Sequence, residues 1–189
     1  QSKWLMKGLV IIRVIITCLL FVYMILLVIS SLGIGGKEKR FEQLSDYLGT
    51  LEYDHDRFVF YQDLGTKRTF FDRINRACDF YRILVKTRPS VIHSWSSFLT
   101  VLSFPYAFIS GVRLVDSSIS TNGLDGGFLL RLIRRLAILL ADRVTTNSLI
   151  AQQNLNIHKK SSVVRNGVPY YDPVRSEGSI EKPMVWFVS

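Results

Sequence analysis

Apolar residues in this chain come either in short unbroken runs or at every third or fourth position, and the two patterns alternate from residue 24 onward. Residues 24–29 are Met, Ile, Leu, Leu, Val and Ile, the composition of a parallel strand buried on both faces. That run empties into Ser30-Ser31-Leu32-Gly33-Ile34-Gly35-Gly36, a strand-to-helix turn. Residues 38–48 then place Phe41, Leu44, Tyr47 and Leu48 on one helical face. A β-prone run at 56–61 precedes a second helix at 70–85, with Phe71, Ile74, Cys78, Tyr81, Leu84 and Val85 as its stripe and Arg88-Pro89 as its stop. Further strands are expected at 90–95, 111–116, 141–148 and 161–165. Helices are expected at 96–109, 128–140 and 149–155, with a kink or break at Pro105. Strands alternating with helices predict an α/β fold, a Rossmann-like parallel sheet with helices on both faces. Ligands gather at the carboxyl ends of such strands. Here those ends hold the small and polar residues Gly33 to Gly36, His93 to Ser97, Ser117 to Ser120, and Asn147 and Ser148.

The apolar start leaves two readings. From 9 to 29 only Arg13 and Thr17 interrupt it, which is long enough for a bilayer span but carries a costly mid-segment Arg. If 24–29 is a strand, residues 1–23 are an apolar extension that either lies on a membrane surface or packs on the domain. Lysines and Arg40 flank both sides, so loop charge sets no orientation.

Composition narrows the function classes. With 189 residues, 48% hydrophobic and 21% charged, the chain can bury one good core and is neither disordered nor a coiled coil. The formal net charge of +9 is dispersed along helices, which argues against nucleic acid. An anionic membrane surface and a phosphorylated substrate such as a nucleotide-sugar both remain. Cys18 and Cys78 are far apart and read as reduced core residues of a cytoplasmic protein.

Candidate chemistry sits at the strand ends. Gly35 and Gly36 let a diphosphate approach the backbone and the free N–H groups of the next helix, though the loop completes no standard phosphate fingerprint. Lys37 starts that helix, with Lys39 and Arg40 close behind, and either solvates it or meets phosphate. His93, with Ser94 and Trp95, is placed to bind acceptor hydroxyls or phosphate; a core role for the histidine and a packing role for Trp95 are the plainer alternatives. Asn147 and Ser148 read first as helix caps and second as ligand contacts. No nucleophile–base pair, metal-ligand spacing or paired catalytic carboxylates are visible, so neither metal nor cofactor is expected.

Several motifs together resemble glycosyltransferase family 4 and its GT-B relatives, over most of residues 24–189. Residues 25–40 look like that family's first strand and Gly-Gly loop. Arg88-Pro89-Ser90-Val91-Ile92-His93 resembles its R-P-D-x-x-H strand, and Ala141-Asp142-Arg143-Val144-Thr145-Thr146-Asn147-Ser148 its A-D-x-x-x-x-N-S strand. Val163-Val164-Arg165-Asn166-Gly167-Val168 is similar to V-I-P-N-G-V. The resemblance implies a GT-B N-terminal domain at 24–180 and the first strand of a donor-binding domain at 181–189. The implied function is a retaining glycosyltransferase that moves sugar from a nucleotide-sugar, its substrate, to a cell-envelope saccharide or lipid-linked acceptor at the inner face of the membrane. The donor-clamping residues would lie past Ser189, so this portion would be inactive alone. The sequence departs from the family in two places. A strand and helix usual between Tyr61 and Phe70 are missing, and a histidine usual after the 112–116 strand is replaced by Asp116-Ser117-Ser118. Ser117 would then stand beside His93 as a catalytic candidate. The alternatives are a non-catalytic membrane-attached α/β binding module and a flavodoxin-like nucleotide binder.

Overall fold

The computed structural model describes residues 23–33, 35–61, 69–119 and 127–164. The apolar extension 1–22, Ile34, Asn166, Gly167 and the strand expected after residue 181 lie outside the described residues, as does the domain limit at 180.

The chain runs β1 (Ile25–Ser31), α1 (Gly36–Thr50), β2 (His55–Tyr61), α2 (Phe70–Thr87), β3 (Val91–Ser94), α3 (Ser97–Ser110), β4 (Arg113–Ile119), α4 (Phe128–Leu140), β5 (Arg143–Thr146), α5 (Leu149–Leu155), β6 (Ser161–Val163). The strands form one sheet in the order β2-β1-β3-β4-β5-β6, and every neighbouring pair is parallel. This is the α/β Rossmann-like architecture that the alternating pattern predicts.

Side chains alternate across the sheet, so two cores form. Leu27 and Ile29 meet Phe41 and Leu48 of α1 together with Trp95. On the other face Leu26, Val28, Ile92, Leu114 and Val144 meet Phe80 and Leu84 of α2, Leu99 and Ala107 of α3, and Ala151 of α5. Helices therefore cover both faces, but unequally. Among the described residues only α1 covers the Leu27 face.

Three sequence expectations are corrected. The stripe assigned to α2 is only partly its buried face: Leu84 is buried and Tyr81 packs against the core, but Phe71, Ile74 and Val85 are exposed and Phe80, outside the stripe, is buried. Phe80 is drawn inward by Phe58 of β2, at 5.0 Å between ring centroids. Among the described residues β2 is the edge strand, so the first turns of α2 have no further strand to pack on. Cys78 is exposed on the same outer side and is not a core residue. α3 is not broken at Pro105; it runs as one helix to Gly111, whose φ of 67° ends it. Leu99, Thr100, Ser103 and Ala107 are buried on either side of the proline, so packing holds the helix across it.

Candidate functional site

Strand order reverses between β1 and β3: the chain leaves β1 for β2 on one side and returns to β3 on the other. Such a switch point opens a crevice at the carboxyl ends of the two strands. Into it lead the glycine turn after β1 and the Trp95 turn after β3. The Trp95 backbone N–H donates to Val28 O at 2.8 Å, which ties the two exits together.

Gly35 is the N-cap of α1 with φ −150°, an extended backbone that any residue adopts. Nothing lies within 4 Å of where a Cβ on Gly36 would be, so the approach to the helix end at Gly36 is open. At Gly35, however, the carboxylate of Glu38 folds back against the glycine. A carboxylate at a helix N-terminus is favourable, and an incoming phosphate must displace it. Lys37 is half-buried in the same first turn.

Trp95 is only 5% exposed. His93 stacks on its ring at 5.3 Å between centroids, Phe41 meets it edge-on at 6.3 Å, and the Arg40 guanidinium sits 5.2 Å from the ring centroid. The indole is thus a packing centre in this structure, not an open platform for a sugar. Both Trp95 Nε1 and Arg40 Nε are buried without a hydrogen-bond partner among the described residues. Two orphaned N–H donors side by side are unusual, because a buried unpaired donor costs about 1–3 kcal/mol. Burial also lowers the Arg40 pKa below its ordinary value.

The structure brings His93 and Ser117 together. His93 Nε2 lies 2.5 Å from Ser117 Oγ, and Ser117 Oγ in turn contacts Thr145 Oγ1. The three side chains form a polar row across β3, β4 and β5. Ser117 reaches it because β4 runs on to Ile119, three residues past the expected end, so the residue is part of the strand. Thr145 was not singled out by sequence; its only signal was alternation, which puts it on the same side as Val115 and Ser117. Burial pushes the His93 imidazole down to about 4. At neutral pH on the order of one ring in a thousand is then protonated. A neutral ring of such low basicity positions a hydroxyl better than it removes a proton.

Asp116 points to the opposite face. It is fully buried and accepts hydrogen bonds from Thr100 Oγ1 at 3.0 Å and from Ser118 N and Oγ at 3.1 Å. Burial raises its pKa, against the lowering effect of those hydrogen bonds.

Ser94 and Ser148 have structural duties. Ser94 is buried, and its hydroxyl donates to Ser96 O at 2.9 Å, closing the turn that Trp95 occupies. Ser148 caps α5 by accepting from Ala151 N at 3.1 Å. Asn147 is half-buried beside it. Among the described residues no three His, Cys, Asp or Glu side chains group as metal ligands would. A groove of about 690 Å³ lies along the β2 edge, between Leu32, Val59 and the α2 residues Arg76, Asp79 and Arg82. It contains none of the sequence candidates.

The fold and the strand-order reversal together define a Rossmann-like α/β domain. No protein-family model and no curated protein matches the chain, but solved structures match its fold. The lipopolysaccharide outer core galactosyltransferase WaaB, in its apo form, is similar with a TM-score of 0.59 at 15% identity, over 78% of this chain and 47% of that one. Anabaena Alr3699/HepE, solved in complex with UDP and glucose, is similar with a TM-score of 0.51 at 17% identity, over 77% of this chain and 45% of its own. A UDP-GlcNAc 2-epimerase from Methanocaldococcus jannaschii gives 0.51 at 15% identity, over 76% and 46%. The chain spans about half the length of the structures it matches.

Proposed function

We propose that this chain is the acceptor-side domain of a retaining GT-B glycosyltransferase of the family 4 type, moving sugar from a nucleotide-sugar to a saccharide or lipid-linked acceptor. The observation that carries the reading is a pair of buried donors, Arg40 Nε of α1 and Trp95 Nε1 after β3, that have no hydrogen-bond partner among the described residues and flank the β1/β3 switch point. A diphosphate or sugar oxygen arriving at the glycine turn supplies the acceptor that both N–H groups lack, and donors fixed in advance suit the charge that develops on a departing diphosphate. Glu38 leaves the helix end when the anion enters. The neutral His93, held by Ser117 and stacked on Trp95, orients a hydroxyl beside that charge.

UDP-sugar epimerases share the fold, so the test must separate transfer from epimerisation. The protein, expressed at the full length of its reading frame, is given labelled nucleotide-sugars with saccharide and lipid-extract acceptors. The expected result is label on the acceptor with retained anomeric configuration by NMR. His93→Ala should lower kcat about 10²-fold through lost positioning. An inverted product refutes the retaining mechanism. Epimer formed without acceptor establishes an epimerase, and nucleotide-sugar binding without turnover establishes a binding module.

A further inference from the structure

α4 is amphipathic with its apolar stripe facing outward. Its buried contact is made by Ala137, against α3, where Ala107 is also buried. Leu129, Leu132, Leu136 and Leu139 recur at three- and four-residue steps along its exposed side, with Leu129 67% and Leu139 70% exposed. Phe128 extends the stripe at 76% exposure. α3 and α4 each follow a strand of one parallel sheet, so they run in the same direction side by side. At its own C-terminal end α3 adds Phe108 and Ile109, exposed to 77% and 83%. An apolar surface of this extent on a water-facing layer marks a contact site.

Charge decides what the contact is. Arg131 and Arg135 are exposed along one border of the stripe, and neither α3 nor α4 contains an acidic residue. Lys160 reaches the C-terminal end of α4, where its Nζ donates to Leu139 O at 2.7 Å. Asp142 couples to Lys160. A second copy docked stripe to stripe would bring two arginine clusters together. Residues 1–22 hold Lys3, Lys7 and Arg13 and no acid, so they are repelled in the same way. A surface of anionic lipid headgroups satisfies both parts: leucines enter the acyl boundary while the arginine stems reach up to phosphates.

We infer that the α3/α4 layer is an interfacial membrane-docking surface that seats the domain on an anionic bilayer. The inference is independent of the sugar-transfer reading. Among the described residues no helix is long and apolar enough to cross a membrane, so docking here is peripheral.

The experiment uses the whole chain with Cys18 and Cys78 changed to serine and a nitroxide attached at Leu132→Cys. Vesicles are phosphatidylcholine alone or with about one-third phosphatidylglycerol. With anionic vesicles the label should gain oxygen accessibility, the mark of entry into the acyl region; with phosphatidylcholine alone it should gain little. Arg131→Gln with Arg135→Gln should weaken flotation with anionic vesicles by about ten-fold or more at low salt. A label that stays water-accessible on bound protein overturns the inference, since another segment is then the anchor. A label already immobilised without vesicles also overturns it. Concentration-dependent sedimentation would then point to a second copy, and its absence to coverage by the chain's own residues.

Discussion

Trp95 shows at the level of one residue how sequence leaves two roles open and packing favours one. Its place next to His93 at a strand end allowed a sugar platform or, more plainly, a packing role, and Phe41, His93 and Arg40 enclose it. Trp95→Ala should therefore cost about 3–5 kcal/mol in urea unfolding, as loss of a buried aromatic does, with Trp95→Phe losing much less. His93 and Asp116 give the pH dependence opposite signs. His93 binds its proton near 6.5 when unfolded and only near 4 when folded. The unfolded chain thus holds more protons in that window, and stability falls as pH drops from about 6.5 to 4, by at most about 1.4 kcal/mol per pH unit. Asp116 behaves in reverse: its folded pKa is raised above 3.8 by burial, so its contribution is complete below 3.8 and is lost as pH rises through the raised value. Urea midpoints from about pH 4 to 8 separate the two. Asp116→Asn should leave only a rise in stability with pH up to about 6.5 and then a plateau. His93→Gln should abolish that rise.

Among elements, those bounded by local chemistry were legible and those bounded by neighbours were not. α2 begins at a reciprocal capping box, Thr69 with Asp72, and ends at Arg88 in the left-handed region. Hydrogen bonds from Thr69 hold the Asp72 carboxyl below its usual range. Thr69→Ala should lower stability by about 1 kcal/mol in thermal or urea melts, because an N–H at the helix start loses its acceptor. The direction α2 faces was beyond the sequence. Phe70, Phe71, Ile74, Phe80, Tyr81, Leu84 and Val85 cover about half the circumference of the helix, wider than one buried stripe, so periodicity offers more than one. Phe58 on β2 makes the choice, and only the folded sheet puts Phe58 there. α4 repeats the lesson: its bounds were read to the residue, yet the same leucine spacing that signals a helix does not say which side meets the protein.

Across the whole molecule, the alternation of runs and stripes determined a parallel α/β sheet, the chain order of its elements and the gathering of small polar residues at strand ends. These follow from backbone hydrogen bonding and side-chain period, which are local and written into every few residues. Tertiary structure decided the rest. It placed the reversal of strand order between β1 and β3, which turns two separate loops into one crevice. It joined His93 to Ser117 and Thr145 across three strands, enclosed Trp95, and turned the leucines of α4 outward. Each of these depends on residues far apart in the chain, and the register and layer that bring them together are set by packing the sheet as a whole.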